Sequence, residues 1–188
     1  KTVVPAKDTP GFIANRIGTF WLHAAVTEAI TQGIGVEEAD AVLGRPAGIP
    51  RTGIFGLLDL VGLDLMPHVL SSLESALPES DPFHGLGKAP ALLEKMIAGG
   101  YTGRKGKGGF YRLNTESGDK VKEVIDLKSG DYASAKRPKP AAAEVSRKGG
   151  LRATLEHDSP EGRYARSVLI PTLAYAAALV PEIADDPY

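Results

Sequence analysis

Apolar positions near the start of the chain recur at three- and four-residue spacing. Ile13, Ile17, Phe20, Trp21 and Ala24 fall on one helical face. Asp8-Thr9-Pro10 supplies a helix start, with Thr9 as N-cap and Pro10 at the first helical position. Gln32-Gly33 ends the element. The opposite face carries Asn15, Gly18, Thr19 and Leu22. With so few polar side chains it is not a solvated face, so the helix is expected to pack on both sides.

Glycine and proline divide the next stretch into further helices. The pattern predicts helices over 36–43 (closed by Gly44), 54–61 (ended by Gly62), 65–77 (capped by Asp64) and 91–98 (followed by Gly99-Gly100). A Gly- and Pro-rich loop fills 45–53, and 78–90 reads as a long surface connection. The period then changes. A glycine- and lysine-rich loop, Gly-Arg-Lys-Gly-Lys-Gly-Gly, runs into a strand over 110–113, and a turn leads to a second over 120–127. Residues 131–156, dense in Lys, Arg, Pro and Ala, read as a surface linker. Ser159-Pro160 then repeats the opening helix start. A shift of about 150 residues lays Ser159-Pro160 on Thr9-Pro10, Arg166 on Arg16 and Ala174 on Ala24, which reads as a degenerate second copy. Its apolar face is expected either to need a partner or to fold back on the first helical unit.

Composition narrows the function classes. The 188 residues are 43% hydrophobic and 24% charged, a globular balance, and the net charge of −1 offers no global field for nucleic acid. There is no cysteine, which rules out thiol catalysis and fits a reducing cytoplasm. The longest apolar run, 168–180, is short of a bilayer span and reads as a core helix. The first residue is not Met and no signal-peptide layout follows it, so the chain is expected to be part of a longer protein. No dinucleotide fingerprint is present, because Gly106-Lys-Gly-Gly109 leads into a strand rather than a helix.

Three segments, in this order and spacing, resemble one family. They are Lys-Asp-Thr-Pro-Gly-Phe-Ile-Ala-Asn-Arg (7–16), Gly-Ile-Pro-Arg-Thr-Gly-Ile-Phe-Gly-Leu-Leu-Asp-Leu-Val-Gly-Leu-Asp (48–64) and Gly-Arg-Lys-Gly-Lys-Gly-Gly-Phe-Tyr (103–111). The pattern is similar to the C-terminal helical domain of 3-hydroxyacyl-CoA dehydrogenases. Ile54 departs from it, standing where the family has proline. The resemblance implies a mainly α fold: a helical domain like the C-terminal domain of 6-phosphogluconate dehydrogenase, a small β-hairpin, and the start of a second, degenerate helical copy. The corresponding divisions are 1–112, 113–158 and 159–188. It also implies a place in a multifunctional fatty-acid β-oxidation protein, in which a separate N-terminal domain holds NAD and a His-Glu catalytic pair. The partners implied are a 3-hydroxyacyl-CoA or 3-ketoacyl-CoA substrate and a second copy joined through the helical domains, in the bacterial cytoplasm. Two other readings stay open: a helical dimerisation module, and a related β-hydroxyacid dehydrogenase acting on a non-CoA substrate.

Individual residues can then be weighed. Asn15 is either a buried amide bonded to a neighbouring carbonyl or, beside the small Gly18 and Thr19, a ligand contact. An amide donates to a carbonyl and accepts from a hydroxyl, so it suits an oxygen that alternates between the two. The resemblance favours the second, making Asn15 catalytic and Asn15, Thr19 and Pro50 substrate-binding. Arg16 is a cation near a helix N-terminus, where the dipole disfavours it, so it is expected to hold a carboxylate or carbonyl partner, with architectural ion pairing the favoured reading and ligand contact the minor one. Lys105 takes the family's cofactor-facing lysine position, whereas Lys107 reads as surface. Asp59 and Asp64 read as structural caps rather than a metal pair, and no metal is expected. His23 and His68 are isolated and default to core or surface.

Overall fold

The computed structural model describes residues 3–49, 51–115 and 119–186. Among these residues seven helices and three strands follow in order. They are α1 (Ala14–Gln32), α2 (Val36–Val42), α3 (Gly53–Val61), α4 (Leu65–Ala76), α5 (Ala91–Ala98), β1 (Tyr111–Asn114), β2 (Val121–Ile125), β3 (Tyr132–Ser134), α6 (Ala141–Glu156) and α7 (Pro160–Ile183). The mainly helical architecture expected from periodicity is present. The strands form one antiparallel sheet in the order β1-β2-β3, with Tyr111 opposite Val124 and Val124 opposite Ala133.

α1 is packed on both sides, and each side belongs to a different apolar cluster. Leu22, Ala25, Val26 and Ala29 join Val42 of α2, Phe55 and Leu58 of α3, and Tyr164 and Val168 of α7. Phe110, just ahead of β1, closes this cluster edge-on against Phe55, with ring centroids 4.6 Å apart. Phe20 joins the second cluster with Leu70 and Leu73 of α4, Phe83, and Tyr175 and Leu179 of α7. Its ring stacks on Tyr175 at 4.4 Å. α7 therefore contributes to both clusters, and its apolar face folds back on the first helical unit. At 24 residues α7 is also long and apolar enough by composition to cross a bilayer, more so than the 168–180 run suggests, but Tyr164, Ala165 and Val168 are fully buried within the protein.

Several elements differ from the sequence reading. Thr9 does not cap α1. Gly11 and Phe12 take left-handed backbone (φ 78° and 49°), so the helix begins only at Ala14, and the buried Thr9 Oγ1 has no hydrogen-bond partner among the described residues. The C-terminal end is as expected, with Gly33 in the left-handed region donating back to α1. Ser159 does cap α7, accepting from the Gly162 N–H at 3.2 Å. The expected linker is ordered: it contains β3 and α6. α6 bends at Gly150 (φ 64°), and Thr154 Oγ1 donates to Ala142 O at 2.9 Å across that bend. The 78–90 connection is not simply surface, because Phe83 and Asp81 are buried there.

Candidate functional site

The first turn of α1 points two neighbouring polar residues in opposite directions. The Asn15 side chain is exposed, and a Cβ placed on Gly18 would meet nothing within 4 Å. Thr19, one turn on from Asn15, is buried. The helix therefore presents a wettable amide with open space beside it and a hydroxyl behind it. Asn15 is not the buried amide that the alternative reading required.

Arg16 is 0% exposed. Its guanidinium pairs with the buried Asp81 carboxylate, donates from Nε to Tyr175 Oη at 2.5 Å, and reaches Glu182 Oε1 at 3.2 Å. Asp81 also accepts from Tyr175 Oη at 3.0 Å and from the Phe83 N–H at 2.8 Å. A buried cation is tolerated only when it is paired and its donors are used, and here both conditions are met. The expected acidic partner thus comes from the 78–90 segment, and the network ties α1 to α7. Arg166 does not repeat it: the side chain is half-buried and makes no ion pair among the described residues.

A second polar region lies where α2, α3 and β1 meet. Asp40 of α2 accepts from the Phe55 and Gly56 N–H groups at the start of α3 and from Tyr111 Oη, at 2.7, 3.2 and 2.9 Å. Burial raises its pKa to about 7, the hydrogen bonds only partly offsetting it. Asp59 accepts from the Phe110 and Tyr111 N–H groups, each at 2.8 Å. Burial raises this carboxyl to about 6. Burial, and then the Asp40 charge, push the Tyr111 hydroxyl well above its ordinary range. Asp59 is therefore a tether from α3 to the sheet rather than a helix cap. Asp64 sits at the N-cap of α4 without a side-chain cap bond, so neither aspartate caps as expected. No cluster of three or more His, Cys, Asp or Glu that could hold a metal occurs among the described residues.

The 103–108 loop is pinned to α3 by the Arg104 N–H, which donates to Asp59 O at 2.8 Å. Gly109 is required there, since an added Cβ would fall 1.9 Å from Asp59 Oδ1. Lys105 is exposed on this loop, without an ion pair among the described residues. Lys107, read as surface, donates to Gly99 O at 3.0 Å. No hydrogen bond joins Lys105 to Asn15 or Thr19, and Pro50 lies outside the described residues. His23 is core: Nε2 donates to Leu86 O at 3.0 Å, and burial lowers its pKa.

Two groups escaped the sequence reading. Asp40 was one, although a carboxylate between the apolar Ala39 and Val42 of a short helix is itself a signal. Asp81 was the other, hidden in a segment read as solvated.

With this geometry in view, the comparisons are specific. The family model for the 3-hydroxyacyl-CoA dehydrogenase C-terminal domain matches residues 11–113, slightly more than half of the chain. A putative fatty acid oxidation complex trifunctional enzyme of Rickettsia prowazekii is 39% identical over 188 residues, covering 100% of this chain and 25% of that protein. A probable 3-hydroxyacyl-CoA dehydrogenase of Bacillus subtilis is 35% identical over 192 residues, covering 99% of this chain and 23% of its own length. A fatty acid oxidation complex subunit alpha of Shewanella baltica is 32% identical over 142 residues, covering 72% and 19%. The chain thus spans about a quarter of the first two relatives. Helices α1 to α5, the glycine-rich loop and the start of β1 fall within the matched segment, and the chain belongs to the 3-hydroxyacyl-CoA dehydrogenase C-terminal domain family.

Proposed function

We propose that this chain is the substrate-lining and dimerising part of an NAD-dependent (S)-3-hydroxyacyl-CoA dehydrogenase of bacterial, cytoplasmic fatty-acid β-oxidation. The observation that carries the reading is the exposed Asn15 amide beside the open Gly18, on a helix held in place by the Arg16 network. Asn15 accepts from the substrate's C3 hydroxyl and donates to the carbonyl oxygen that replaces it, which is charge stabilisation by a positioned group. Thr19, buried one turn on from Asn15, is the second substrate contact, and Pro50, outside the described residues, is assigned to the substrate by its place in the 48–64 motif alone. NAD would supply the hydride acceptor for C3, and a base in another part of the full-length enzyme would receive the hydroxyl proton. Lys105 is exposed, unpaired among the described residues and flanked by loop amides, which suits a cofactor phosphate. The substrate class is tested by assaying the full-length enzyme with 3-hydroxybutyryl-CoA and with free 3-hydroxybutyrate. Oxidation of the thioester alone is expected. Equal rates on the free acid would favour a related dehydrogenase without CoA specificity.

Self-association is the second part of the proposal. α7 leaves Ile170 and Leu173 exposed at 51% and 56%, and the α3–α4 corner exposes Leu60, Val61 and Leu65. Apolar surface of this kind marks interfaces. Sedimentation of the full-length enzyme is expected to give a dimer, and a monomer at all concentrations would remove this part.

A further inference from the structure

A cavity of about 950 Å³ opens between α2, α3, the 103–108 loop and β1, and neither Asn15, Thr19 nor Lys105 lines it. We propose that it binds a ligand carrying a pyrophosphate group, of the adenosine-diphosphate class.

Six cations line the cavity: Arg51, Arg104, Lys107, Arg112, Lys122 and Arg137. They concentrate positive charge in a chain whose net charge is −1. Three acids share the lining, Glu37, Asp40 and Asp59, but each is committed to protein donors. Glu37 accepts from the Lys136 and Arg137 N–H groups at 3.0 Å, while Asp40 and Asp59 accept backbone amides of α3 and β1. Among the cations, Arg112 is paired with Glu123 at 2.6 Å, and Lys122 lies over the Tyr111 ring at 4.0 Å. Arg51, Arg104 and Arg137 have no ion pair among the described residues. Three unpaired guanidinium groups around one concavity suit bidentate contact with more than one phosphate.

Two local features reinforce this. Arg137 holds a left-handed backbone (φ 53°), uncommon for a non-glycine residue. The Glu37 carboxylate clamps that turn through two backbone N–H groups, which keeps Arg137 at the mouth of the cavity. Thr52 also lines the cavity, and its buried Oγ1 has no hydrogen-bond partner among the described residues. A hydroxyl without a partner is a ready donor to a phosphate oxygen. The volume falls within the range of small-ligand pockets, roughly 300–1,000 Å³, and exceeds what inorganic phosphate needs.

The test titrates the full-length enzyme calorimetrically with inorganic pyrophosphate, ADP and adenosine at low and at high salt. The expected result is that pyrophosphate and ADP bind, adenosine does not, and affinity falls as salt rises. Arg104→Glu and Arg51→Gln should each weaken ADP at least tenfold. Arg147→Gln, on an exposed α6 arginine outside the cavity, should leave ADP affinity unchanged, and all three side chains are exposed enough to keep the thermal midpoint. Competition by CoA or by NAD assigns the site to the nucleotide end of that molecule, and competition by neither assigns it to a free nucleotide; each of these supports the proposal. Adenosine binding as well as ADP, no binding of ADP, or binding unchanged by Arg104→Glu would overturn it.

Discussion

Helices α1 and α7 begin with nearly the same letters, Asp-Thr-Pro and Asp-Ser-Pro, and lie against each other, yet the letters act in only one of them. Ser159 caps α7 one residue before its first-turn proline. Thr9 caps nothing, because Gly11 and Phe12 turn the chain through left-handed backbone and delay α1 to Ala14. The arginines diverge as well. Arg16 is sealed between Asp81, Tyr175 and Glu182, whereas its counterpart in the shifted register, Arg166, is half-buried without an ion pair among the described residues. At the preceding position α1 has exposed Asn15 and α7 has buried Ala165. A shared motif therefore indicates where a helix is near, but the residues packed around it decide which polar groups become architecture and which remain free for a ligand.

The largest expected effect breaks the comparison at the arginines. Arg16→Ala strands the buried Asp81 carboxylate and should cost about 3–5 kcal/mol in urea unfolding. Arg166→Ala should stay within about 0.5 kcal/mol. Equal costs would mean that the two helices use their arginines alike.

A smaller effect sharpens it at the caps. Ser159→Ala should destabilise by about 1 kcal/mol, the usual worth of an N-cap oxygen. Thr9→Val, which removes a buried hydroxyl without a partner among the described residues, should be neutral or slightly stabilising. Thermal melts of both variants read the difference, and a Thr9 cost matching that of Ser159 would show that Thr9 caps α1 in solution.

The same contrast explains what could be read from the chain alone. Gly33, Gly62 and the apolar spacing of α1 marked helix ends and faces, because those signals act within a few residues. The three motifs carried the family and placed Asn15 on a helix with space beside it. The 141–156 segment was misread because Gly149-Gly150 and its many charges resemble a linker, while its order comes from the buried Ala142 and Thr154. Asp81 is invisible for the same reason, since its partner Arg16 lies 65 residues away, and although the setting of Asp40 is a signal, its hydroxyl partner Tyr111 lies 71 residues away. Short-range spacing cannot report a long-range bond.

We propose that two adjacent residues of α1 divide the work, the buried Arg16 holding the fold and the exposed Asn15 facing the reaction. The most direct measurement is Asn15→Ala in the full-length enzyme, with turnover of 3-hydroxybutyryl-CoA and the urea midpoint taken on the same preparation. Loss of one positioned hydrogen-bonding group should lower kcat by roughly 10- to 1000-fold, and because the side chain is exposed the unfolding midpoint should stay at the wild-type value. A kcat near wild type, or a midpoint that falls in step with activity, would contradict the account.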